Sequence, residues 1–121
     1  MPRVIHFEIP ADNPERAVDF YKKAFSWNFD KWPGPTDYWL ITTGKGEPGI
    51  DGGLLKRPRP GAGIVNTIGV AALDAALERV HQAGGKTVVP KMPIPGVGYL
   101  AYCQDTEGNT FGMMQADPDA K

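Results

Sequence analysis

His6 and Glu8 are the first residues whose types and spacing could do chemistry. They stand two apart in the alternating segment V-I-H-F-E-I, Val4 to Ile9. On a strand, that spacing points both side chains to one face. A carboxylate beside an imidazole raises the imidazole pKa and orients the ring, an arrangement suited to acid/base work. The plainer role is a pair of polar groups that hydrogen-bond a facing element. His81 lies near the end of a helical stretch and reads as a surface residue. Cys103 has no histidine near it in sequence, so a small buried hydrophobe is expected. Trp27, Trp32, Trp39, Tyr38 and Tyr99 could stack on a ligand, with core packing or a dimer interface as their ordinary fates. Of these, Trp39 is the one to watch, because it sits mid-strand. Lys56, Arg57 and Arg59 form a short basic patch in what reads as a solvated loop.

Strands and helices must position these groups. In Val4–Ile9 the residues Ile5, Phe7 and Ile9 form an apolar face opposite Val4, His6 and Glu8. Asn13 and Pro14 open a helix as cap and first residue, with Ala17, Phe20, Tyr21 and Ala24 as its apolar stripe. Strands are expected over 25–32, 38–43 and 51–56. The stretch R-P-R-P-G-A-G, Arg57 to Gly63, reads as a crossover too short to separate independent domains. The order then recurs. A strand over 64–70 leads to a helix with the stripe Leu73, Ala76, Leu77 and Val80, ended by Gly84-Gly85. Strands over 86–90, 99–103 and 110–115 complete it, with a loop at 93–98.

An internal repeat organises the chain. A shift of 59 residues lays Ile5 on Ile64, Ala17 on Ala76 and Gly53-Leu54-Leu55 on Gly112-Met113-Met114. The fold expected is α+β: two tandem βαβββ modules, about 1–57 and 64–116, forming paired curved mixed sheets around a central cleft within one domain, 1–121. A ferredoxin-like sandwich leaves too few places for these strands. The 121 residues suffice for a real core. A net charge of −1 supplies no basic surplus for phosphates, so nucleic acid is excluded as a partner. With one cysteine no intrachain disulfide can form, which fits a cytoplasmic location. No apolar stretch is long enough for a membrane span or signal peptide. Exposed sheet edges and three tryptophans in a small chain lead us to expect a homodimer.

Five stretches carry a resemblance to a known family. They are H-F-E-I-P-A-D-N-P-E-R-A-V-D-F-Y (His6–Tyr21), Y-W-L-I-T-T-G (Tyr38–Gly44), G-I-D-G-G-L (Gly49–Leu54), A-G-G-K (Ala83–Lys86) and E-G-N-T-F-G (Glu107–Gly112). In this order the chain resembles the vicinal oxygen chelate superfamily (glyoxalase/bleomycin resistance/dioxygenase), in particular its short two-module glyoxalase-like bacterial members. Two departures are visible. Ala71-Ala72 replaces the usual acidic residues before the second helix, and Gln104-Asp105-Thr106 replaces the usual Asp-Pro turn.

The resemblance implies a divalent ion held by the first and last strand of each module. Carried over, those positions fall on His6, Val65, Gly53 and Gly112. Valine and glycine side chains donate nothing to a metal, so neither metal nor other cofactor is expected. By parity with these positions, the cleft face holds His6, Glu8, Asp51, Thr67 and Met114. Gly53 and Gly112 either open space for a flat ligand or relieve crowding in a curved sheet. The resulting expectation is His6 and Glu8 as catalytic residues, with Trp39, Asp51, Gly53, Thr67, Gly112 and Met114 binding a small molecule. Two alternatives stand beside it. One is a non-catalytic sequestering protein of the bleomycin-resistance type. The other is a metal-dependent lyase of the lactoylglutathione lyase type, disfavoured by the missing ligands.

Overall fold

The computed structural model describes residues 2–121. Among them, eight strands and two helices run in the order βαβββ-βαβββ, a mixed α+β fold. The first set is β1 (Arg3–Ala11), α1 (Pro14–Phe25), β2 (Asn28–Lys31), β3 (Tyr38–Thr42) and β4 (Gly52–Lys56). The second is β5 (Val65–Gly69), α2 (Leu73–Gln82), β6 (Lys86–Ile94), β7 (Gly98–Gln104) and β8 (Thr110–Ala116).

Two compact units emerge. One holds His6–Ile64; the other holds Val65–Lys121 together with the described residues up to Ile5. The boundary therefore falls inside β1. Ile5 belongs with the second unit, where its Cδ1 lies 3.0 Å from where a Cβ on Gly69 would sit. This corrects the apolar face expected for β1. Ile9 is buried and Phe7 packs against the same core, but Ile5 is 49% exposed.

In the first unit the strands lie in the order β2-β3-β4-β1. The pair β1/β4 is parallel and the others are antiparallel. The core sits under α1 and consists of Ile9, Ala11, Val18, Ile41 and Leu54. Asn13 caps α1, its Oδ1 accepting from the Arg16 amide at 3.1 Å. Only Val18 of α1 is buried, flanked by partly buried Ala17 and Tyr21. Phe20, expected in the apolar stripe, is 57% exposed. Its ring instead joins Tyr21 and Phe25 edge-on, and Tyr21 stacks on Trp27 at 5.1 Å. Phe25 closes the helix rather than opening a strand, because Ser26 turns left-handed (φ 60°) and returns its amide to the Lys22 carbonyl.

The second unit repeats the plan as β5-β8-β7-β6, with β5/β8 parallel. Its core is Leu73, Ala76, Ala101, Cys103 and Met113. Ala72 offers α2 no side-chain cap, as its apolar type implies, but Gln115 of β8 supplies Oε1 to the Leu73 amide at 2.8 Å. The strand β6 runs through Pro90 and Pro93 to Ile94, past the end expected from sequence. It pairs only with β7 and slips register twice, between Thr87 and Val89 and between Val89 and Met92. An edge strand with bulges can carry prolines. The register itself recurs at the 59-residue offset: Glu8 lies opposite Gly53, and Thr67 opposite Gly112.

Candidate functional site

On the sheet face of the first unit away from α1, three side chains form a hydrogen-bonded chain. The strand β1 presents His6 and Glu8 on that face, and β3 presents Tyr38. His6 Nε2 is 2.9 Å from the Tyr38 hydroxyl, which donates to Glu8 Oε2 at 2.9 Å. The third strand, β4, makes room for it. A Cβ on Gly53 would lie 1.8 Å from Tyr38 Oη and 2.1 Å from its Cζ. The space that the sequence suggests for a ligand is thus filled by the phenol. Tyr38 sits across from Leu55, and Leu40 across from Gly53, so the ring leans along the strand over the glycine. Sequence reasoning names Tyr38 only as one aromatic among several. An aromatic on one strand beside a glycine on its neighbour is the signal that marks it, once the register is known.

Burial dominates the electrostatics of His6. It pulls the imidazole pKa below 6.5, outweighing the opposing pull of Glu8 and then of Asp51. This reverses the rise expected from the neighbouring carboxylate alone, because desolvation penalises the charged ring. The sign for stability follows. Below pH 6.5 the unfolded chain takes up a proton that the folded chain resists, so stability falls as pH falls until the folded-state value is passed. Chemical denaturation between pH 5 and 8 is expected to show this acid limb, and His6→Asn to flatten it.

The remaining candidates divide. Asp51 closes a loop: its Oδ1 accepts from the Thr43 amide at 2.8 Å and the Thr43 hydroxyl at 3.2 Å. It acts on His6 through charge alone. Trp39, expected to bind a ligand, lies on the opposite face with the core of Ile41 and Leu54, with Lys31 Nζ 5.3 Å from its ring centre. Strand parity places it there, since Tyr38 faces the site. In the second unit, Thr67 is buried and Gly112 lies beside it, where a Cβ would stand 3.1 Å from Thr67 Oγ1 and 3.3 Å from Tyr102 Cε1. Met114 is half-buried two residues along the same strand. Burial also raises the Cys103 thiol pKa, with a smaller opposing effect from the Thr87 hydroxyl, which suits an inert core cysteine. Arg57 is tied to Asp12 at 2.9 Å and to the Ala62 carbonyl, so the basic patch is partly neutralised.

A divalent ion does not fit these donors. Three or more converging ligands are the usual requirement. Among the described residues, no three His, Cys, Asp or Glu side chains gather at one point. In the first unit His6 Nε2, Glu8 Oε2 and Asp51 Oδ1 are each engaged by protein hydroxyls.

A model of the Glyoxalase/Bleomycin resistance protein/Dioxygenase superfamily matches residues 3–113. The chain belongs to that superfamily. A glyoxylase-like domain-containing protein of Didymella fabae is 33% identical over 112 residues, 88% of each chain. Among solved structures, a hypothetical protein of Bacillus halodurans C-125 superposes with a TM-score of 0.77 at 15% identity, covering 99% of this chain and 98% of that one. Methylmalonyl-CoA epimerase of Mycobacterium tuberculosis superposes with a TM-score of 0.73 at 14% identity, covering 95% and 88%. At such identities the likeness of this superfamily member to solved structures is one of fold. Among its described residues no helix is long and apolar enough to cross a membrane.

Proposed function

We propose that this glyoxalase-like protein binds a small polar metabolite at the His6–Tyr38–Glu8 chain and performs acid/base chemistry on it. The observation that carries this reading is the pair of 2.9 Å contacts joining an imidazole, a phenol and a carboxyl group on one sheet face. With its pKa held below 6.5 by burial, the imidazole is neutral at pH 7, the form that can accept a proton. The substrate class that suits it carries a proton made acidic by a neighbouring carbonyl. A structural neighbour, methylmalonyl-CoA epimerase, is described in complex with methylmalonyl-CoA, which makes that thioester a rational first probe. We further propose that the protein acts in the cytoplasm as a homodimer. The exposed Phe20, Phe25 and Leu40 support pairing, and the lone buried Cys103 suits a reducing compartment.

The test is exchange of substrate C–H for deuterium in heavy water, followed by proton NMR, with methylmalonyl-CoA and simple 2-oxo acids as probes. Exchange catalysed by the protein and lowered about 10²-fold or more by His6→Ala is expected. Tight binding with no exchange would replace catalysis by sequestration. Neither binding nor exchange across the panel would overturn the reading.

A further inference from the structure

The geometry points to Tyr38 as the positioning residue that fixes the tautomer of His6, leaving Nδ1 as the basic atom that meets the ligand. The inference deepens the proposed function and rests on it for the ligand, but not for the tautomer. A phenol has one proton. The Tyr38 hydroxyl donates it to Glu8 Oε2, so toward His6 it can only accept. The 2.9 Å contact with Nε2 therefore requires a proton on Nε2. In the neutral ring the lone pair then sits on Nδ1.

Among the described residues, Tyr38 is the one hydrogen-bond partner of the His6 ring. Among the described residues no buried side-chain nitrogen or oxygen lacks a partner, and His6 is half-buried. It follows that Nδ1 is reachable from outside. The ligand atom set against it must be a donor: a hydroxyl, an amide N–H, or a C–H acidified by a carbonyl. When Nδ1 takes that proton, the ligand keeps the electron pair and the ring becomes imidazolium. Its charge is then opposed by Glu8 across the Tyr38 hydroxyl, with no need for a second proton to move. Gly53 is what allows the phenol to stand between the two groups.

The experiment is nitrogen NMR of protein labelled at its two histidines, without ligand, at mildly alkaline pH. His81→Asn assigns the signals. In the native protein His6 is expected to show a pyrrole-type Nε2 and a pyridine-type Nδ1. The Nε2 proton should exchange with water at least about tenfold faster in Tyr38→Phe, which removes the acceptor. A proton on Nδ1 in the native protein overturns the inference, and so does unchanged Nε2 exchange in a folded Tyr38→Phe. If that variant does not fold, the native tautomer decides alone. Since no ligand is added, a negative result in the deuterium-exchange assay leaves this outcome standing, and the converse also holds.

Discussion

Gly53→Ala is expected to disconnect His6 from Glu8 and to lower substrate exchange about 10²-fold, the scale of a misplacement near 1 Å at a reacting group. The added Cβ would stand 1.8 Å from Tyr38 Oη, far inside contact distance. The obstacle is the far end of a side chain, so the ring swings off the glycine and the backbone stays. Stability is expected to fall by about 1–3 kcal/mol, the usual cost of overpacking. Gly112→Ala is the matched control. There the nearest atoms lie at 3.1 and 3.3 Å and yield with a small shift. Exchange kinetics and urea denaturation of the two variants together check the account. Equal effects at both glycines would count against a special role for Tyr38.

Leu54→Ala is expected to remove about 2–5 kcal/mol of folding stability. Leu54 is 0% exposed and centres the first core, beside Ile9, Val18 and Ile41, with Trp39 directly across on β3. Such a rigid surround collapses little around a lost side chain, so a cavity remains. Against a total of about 5–15 kcal/mol for a typical domain, this is a large fraction. Equilibrium urea denaturation is the measurement. A loss below about 1 kcal/mol would mean that Trp39 repacks into the gap.

Much of the fold is legible because it depends on local and periodic signals. Asn13 before Pro14 marks a helix start wherever it occurs. The 59-residue repeat carries register as well as order, which is why Glu8–Gly53 and Thr67–Gly112 recur as partners. What escapes the sequence is cross-strand geometry. Tyr38 and Trp39 are neighbours in the chain, yet one reaches His6 and the other enters the core, and only the phase of β3 against β4 decides which. The direction of the His6 pKa shift escapes for a similar reason. The carboxylates beside the ring can be read from strand spacing, but burial, the larger effect, depends on the whole fold. The extension of β6 through two prolines is invisible until its edge position is known.

The boundary inside β1 bears on excision. Two βαβββ copies joined by a proline- and glycine-rich crossover look like units that could be cut apart at that crossover. The compact units divide elsewhere. The opening residues of β1, with Ile5 against Gly69, are counted with the later half of the chain. A fragment beginning at Ile64 would lack them, and a fragment ending there would carry them without their neighbours. Excision at the crossover therefore parts the opening residues of β1 from the later residues with which they form one compact unit.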